Sequence, residues 1–156
     1  MNSMAQLKVG DVFEVDTPRG KAYIQYVSHN EVIGELIRVL PGVYDKRPEN
    51  LMEIVNKKGD YFIHFPVKAA KKQKIVELIS HFALPKGLEI PKKFRTEITD
   101  KDGNLAGWHI VDYDTWQRDT ISELSEEQKK LSPWGTWNDT LLIERISQEW
   151  TLENWG

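Results

Sequence analysis

The residues able to do chemistry in this chain are scattered. Four histidines, His29, His64, His81 and His109, fall on four different segments. None has another histidine four residues away and no HExxH spacing occurs, so no local zinc-hydrolase motif is present. Ser28-His29 and Ser80-His81 are sequence neighbours. Neighbours on a strand project to opposite faces, so these pairs lack the hydrogen-bond reach a Ser–His nucleophile needs. There is no GxSxG elbow and no glycine-rich phosphate loop. The chain has no cysteine, which removes thiol nucleophiles, thiolate metal ligands and disulfides together. No catalytic residue, cofactor or metal is expected, and the chain is not expected to be an enzyme.

One charged cluster remains. Asp112, Asp114, Asp119, Glu123, Glu126 and Glu127 lie close together in sequence. Paired carboxylates run acid–base chemistry when their surroundings separate their pKa values. Here the spacing crosses strand, turn and helix, the pattern of an exposed acidic rim. The charge of the whole chain is split in the same sense. Residues 1–96 hold 16 Lys and Arg against 11 Asp and Glu, whereas residues 97–156 hold 5 against 13. An acidic surface of this kind recruits basic partners and speeds their association. All six tryptophans also lie in the last third, at positions 108, 116, 134, 137, 150 and 155. Most are expected in the core, with Trp155, beside Asn154 near the end of the sequence, the one expected to be exposed. Aromatic side chains beside carboxylates suit an interface. The candidate partner-binding residues are therefore Asp112, Asp114, Asp119, Glu123, Trp134 and Trp137.

The elements that must position them are short. Asp11–Val15, Lys21–His29 and Gly34–Leu40 are rich in β-branched and aromatic residues and split by turn residues, which predicts three strands. Tyr23, Gln25 and Val27 alternate with Ile24, Tyr26 and Ser28, as expected for a sheet with one buried face. A helical turn is predicted at Leu51–Ile54, a strand at Tyr61–Val67, and a solvated turn or single helical turn at Lys68–Lys74. Ile75–Phe82 is apolar almost throughout, so periodicity leaves strand and helix open; its β-branched content and Pro85 favour a strand. Pro85 to Phe94 reads as an extended crossing loop. Leu105–Val111 and Thr115–Ile121 are the last predicted strands. Ser125 and Gln128 form a capping box that starts a helix, Pro133 and Gly135 break it, and Asn138 or Asp139 caps a second. Leu142, Ile143, Ile146 and Trp150 recur on that second helix at three- and four-residue spacing.

These elements predict an α+β, mainly β fold: a strongly bent antiparallel sheet or SH3-like partial barrel with a C-terminal helical corner. A single domain over 1–156 is expected, with an N-terminal β half at 7–67, further strands at 75–121 and a helix-turn-helix corner at 124–150. No apolar run approaches the length of a membrane span. Met1 to Lys8 lacks the charged start and apolar core of a secretory signal, so no membrane association and a cytoplasmic location are expected.

The stretch LSEEQKKLSPWGTWNDTLLIERISQEW, from Leu124 to Trp150, resembles the C-terminal signature of the immunity protein 26 family. KVGDVFEV, IQYV and GELIRVLPGVYD are similar to that family's opening, so the resemblance runs roughly from Leu7 to Trp150. It implies an immunity protein that binds a cognate bacterial polymorphic-toxin domain and blocks its active or binding surface. Two other classes stay open on the residues alone. A nucleic-acid or peptide reader would use the basic N-terminal sheet with Tyr23, Tyr26 and the lysines of residues 68–74, although no glycine-rich loop and few interleaved aromatics support nucleic acid there. A hydrolase would need the fold to bring one histidine to a carboxylate in a pocket.

Overall fold

The structure is a computed structural model and describes residues 6–155. Most of the stretch from Met1 to Lys8, where no secretory signal is expected, lies outside that range. Among the described residues, eight strands and three short helices make an α+β, mainly β fold. The first four strands, β1 (Asp11–Thr17), β2 (Gly20–Asn30), β3 (Gly34–Val39) and β4 (Tyr61–His64), form an antiparallel meander. The fifth, β5 (Val76–His81), returns to the far side of β1, giving the order β4-β3-β2-β1-β5. Among the described residues β4 and β5 do not pair, so hydrogen bonding leaves this an open sheet rather than a closed barrel. A second antiparallel sheet holds β6 (Lys93–Thr99), β7 (Leu105–Asp112) and β8 (Arg118–Ile121) in chain order. Among the described residues, no helix is long and apolar enough to cross a membrane.

The central strand departs from the expected one-sided pattern. From Ala22 to Val27 every residue of β2 is buried, because both faces of the first sheet are covered. Ala22, Ile24 and Tyr26 face a core shared with Trp137, Leu142, Ile146 and Trp150. Tyr23 faces the other way, against Ile54 and Val55 of α1 (Leu51–Val55). Gln25 is fully buried, and its amide nitrogen donates to the carbonyls of Gly10 and Phe82 while its oxygen accepts from Arg38 Nε. A polar residue is tolerated there because every hydrogen-bonding group it carries is used.

Several boundaries shift for local reasons. The strand expected over Tyr61–Val67 stops at His64, and Pro66 precedes a second helix, α2 (Val67–Lys72), which takes up the lysine run. Ile75–Phe82 resolves as a strand. The crossing loop ends two residues early, and the strand it leads into, Lys93–Thr99, is an element the sequence pattern did not announce. The capping box forms in full: Ser125 N–H donates to Gln128 Oε1 (2.9 Å) and Gln128 N–H to Ser125 Oγ (3.2 Å). It starts only a three-residue 3-10 turn, Gln128–Lys130, instead of an α-helix. Asn138 is the cap of α3 (Asp139–Ser147), its Oδ1 accepting from Leu141 N–H at 2.8 Å.

Two devices join the parts. The segment Ser132–Trp137 is stitched between the sheets. Ser132 O accepts from Arg95 N–H (3.0 Å) and Trp134 N–H donates to Arg95 O (2.7 Å), while Trp137 N–H donates to His64 O (2.9 Å). Ser132 Oγ accepts from Phe62 N–H at 2.9 Å. Pro133 bridges β6 and Thr136 bridges β4, so this turn covers one edge of each sheet. The second device is Arg95, fully buried between the rings of Trp108 (4.8 Å) and Trp155 (4.0 Å). Its guanidinium donates to the carbonyls of Leu131, Lys129 and Leu152, tying the C-terminal segment to the second sheet. Burial pulls its pKa down to about 10, as desolvation disfavours the charged form.

On the outer face of β1, Glu14 is buried and accepts from Tyr23 Oη (2.9 Å), Arg47 Nε (2.7 Å), Arg47 Nη2 (3.2 Å) and Lys21 Nζ (3.2 Å). This network fixes the loop that follows β3 onto the sheet. The Arg47 hydrogen bonds, outweighing burial, hold the Glu14 carboxyl down at about 2.

Candidate functional site

The β7–β8 hairpin carries most of the predicted acidic residues. Its turn is built by Asp112, whose Oδ1 accepts from Asp114 N–H and Thr115 N–H, both at 2.9 Å. This is the local side-chain-to-backbone bonding that makes aspartate a turn former. The backbone hydrogen bonds from Thr115 and Asp114 keep the Asp112 carboxyl below its ordinary value. Asp112 N–H donates to Gln117 O (2.9 Å) and Trp116 N–H to Asp112 O (2.8 Å), closing the loop from both sides. The turn consumes Thr115–Gln117, so β8 begins at Arg118 instead of at the expected Thr115. At the far end of the hairpin, a Cβ on Gly107 would sit 2.7 Å from Ile121 O, so only glycine lets β8 approach so closely.

Closing this loop forces Trp116 into the left-handed region, at φ 65°. That conformation costs a bulky residue about 1–3 kcal/mol and persists only where the surroundings impose it. The result is an indole that is 42% exposed and stands perpendicular to Trp134, with centroids 5.3 Å apart. Trp134 in turn contacts Phe94 (5.7 Å), His64 (6.0 Å) and Tyr113 (6.2 Å). The exposed ring therefore rests on a rigid aromatic stack that reaches down to the seam between the two sheets.

His64 is the foot of that stack. It is fully buried, its Nε2 lies 3.1 Å from Tyr113 Oη, and Nδ1 has no hydrogen-bond partner among the described residues. Burial alone lowers its pKa to about 4, which keeps the ring neutral. Burial also pushes the Tyr113 hydroxyl up.

The six predicted contact residues separate into three groups. Asp114, Asp119 and Glu123 are exposed on the hairpin and its exit. Asp112 and Trp134 are half-buried and act as supports, one for the turn and one for Trp116. Trp137 is buried in the first core, edge-on to Tyr61 and Trp150 at 5.6 and 5.4 Å, and so cannot join the surface. Trp155 also reverses the expectation made for it. Its ring packs on Arg95 and Trp108, and its Nε1 donates to Glu97 Oε1 at 2.6 Å. The exposed tryptophan is Trp116. The DYDTW sequence signals the aspartate turn, but nothing local in it signals a left-handed tryptophan.

The geometry also bears on the two alternative classes. Tyr23 and Tyr26 are core residues, 0% and 7% exposed, and cannot stack on bases. His81 Nδ1 does lie 2.9 Å from Asp11 Oδ1, across the β1–β5 pair. Clefts of about 1420 and 210 Å³ are present, and neither is lined by a histidine. Among the described residues, no group of three or more His, Asp or Glu is arranged to hold a metal ion. No family model, curated protein or solved structure matches this chain.

Proposed function

We propose that this chain is an inhibitory binding protein that captures a cognate protein domain on the β7–β8 hairpin and blocks that domain's working surface. The toxin domain implied by the resemblance to immunity proteins is the partner this reading commits to, and the encounter takes place in the cytoplasm. Inhibition is by occupancy, without chemistry on the partner. One observation supports the reading most: an exposed Trp116 is held in a strained backbone, over a rigid aromatic stack, beside Asp114, Asp119 and Glu123. Strain kept at an exposed aromatic residue is a common mark of a recognition site. A preorganised ring reduces the entropy lost on binding, and the surrounding carboxylates speed capture of a basic surface.

The test is a low-salt pull-down with the tagged chain, read by mass spectrometry and by absorbance at 260 nm. A stoichiometric partner that is a toxin domain is expected. Its association rate should fall at least tenfold at low salt with Asp114→Lys, Asp119→Lys and Glu123→Lys combined. An association rate unchanged by this triple reversal rules the surface out, and retained nucleic acid without protein rules out the proposed partner class.

A further inference from the structure

The hairpin register shows which backbone groups of β8 face outward. Asp112 N–H donates to Gln117 O across the turn, so these two residues form a hydrogen-bonded pair. Antiparallel pairs alternate. The next hydrogen-bonded pairs are therefore Ile110 with Asp119 and Trp108 with Ile121, leaving Val111–Arg118 and His109–Thr120 as the non-bonded pairs. Side chains approach most closely at non-bonded pairs, and Thr120 Oγ1 lies 3.2 Å from His109 Nδ1. It follows that Arg118 and Thr120 turn their N–H and C=O groups away from β7. Among the described residues no strand pairs with this outer edge. The inner edges of the two sheets, at β4 and β6, are instead covered by the Ser132–Trp137 turn.

We infer that the partner docks by adding an extended, lysine- or arginine-bearing segment as a further antiparallel strand along the free edge of β8. The inference rests on the proposed function and adds the mode of binding. Edge addition gains affinity from main-chain hydrogen bonds and specificity from the flanking side chains. Here the flanks are acidic, since residues 112–127 hold six Asp and Glu against the single Arg118. Trp116 lies two residues before β8, where its exposed face can receive an apolar or cationic side chain at the end of the added strand.

The test uses the isotopically labelled full chain and a synthetic octapeptide of alternating lysine and valine at low salt. Its control is the same peptide N-methylated on alternate residues, in both registers. Peptide binding should slow exchange of the Arg118 and Thr120 amides at least tenfold. N-methylation in one register, or Thr120→Pro in the protein, should weaken binding at least tenfold, since proline removes an outward donor that an edge strand can spare. Equal binding of both N-methylated peptides, unprotected β8 amides, or no binding at millimolar peptide overturns strand addition. If the triple charge reversal abolishes peptide binding while N-methylation leaves it unchanged, the acidic surface stands and strand addition falls. If the reverse holds, strand addition stands and acidic recruitment falls. The peptide controls decide the matter even if Thr120→Pro fails to fold.

Discussion

Replacing Glu14 by glutamine keeps the shape of the side chain and removes its charge, which isolates one electrostatic quantity. The carboxyl is held at about 2 against an ordinary 4.5, a shift of roughly 2.5 pKa units, or a ceiling of about 3.4 kcal/mol at 1.36 kcal/mol per unit. Arg47, its main partner, has a side chain 47% exposed, so solvent screening reduces the worth of the pair. We expect Glu14→Gln to lose about 2 kcal/mol at pH 7. The lowered folded pKa means that the contribution is complete above pH 4.5 and is lost as pH falls towards 2. At pH 3 the difference between wild type and variant should have shrunk by about 60%, to roughly 0.8 kcal/mol. Urea unfolding followed by tryptophan fluorescence between pH 7 and pH 3 reads this directly. With a slope of about 1.5 kcal/mol per molar urea, the pH 7 difference is a midpoint shift of about 1.3 M. Comparing the two proteins at each pH cancels every other titrating group. A difference that stays constant from pH 7 to pH 3 would refute the electrostatic account and assign the loss to packing.

Other expectations concern the seam and the site. His64 is buried neutral with its pKa lowered to about 4, so wild-type stability should fall by up to about 3 kcal/mol as pH drops from 6.5 to 4. His64→Gln should flatten that part of the curve in the same urea series. Trp116→Gly relieves the left-handed strain while losing the Trp134 contact; its stability should change by less than about 1 kcal/mol, yet partner association measured by calorimetry should weaken at least tenfold. Arg95→Lys cannot reproduce a fork bonded to three carbonyls between two indoles, and thermal melts should show a loss of about 2–4 kcal/mol. Asn138→Ala removes the cap of α3 and should cost about 1 kcal/mol in urea unfolding.

Local rules carried much of the architecture. Turn residues and β-branched runs placed β1, β2, β3 and β7 to within two residues, because hairpin strands are bounded by backbone preferences that each residue carries with it. The Asn138 cap and the spacing of Leu142 and Ile146 located α3 for the same reason, although the helix stops at Ser147 and Trp150, expected on it, lies beyond its end. The capping box at Ser125 was also legible and formed, although a cap satisfies donors without extending a helix whose next turn has little to bury. What stayed out of reach depended on contacts far apart in the chain. Both faces of β2 are buried only because Trp137 and Trp150 cover one and Ile54 and Val55 the other. Composition placed six tryptophans in the last third but could not rank their exposure. Trp155 is held by Arg95, 60 positions earlier, and Trp137 by Tyr61. The acidic charge of residues 112–127 was determined by the sequence alone, since net charge needs no fold. The left-handed Trp116, the aromatic stack beneath it and the free edge of β8 were decided by tertiary structure. The first depends on how β7 and β8 pair to close the turn between them, the second on where the Ser132–Trp137 turn lies and the third on which strands pair, and no single segment encodes these.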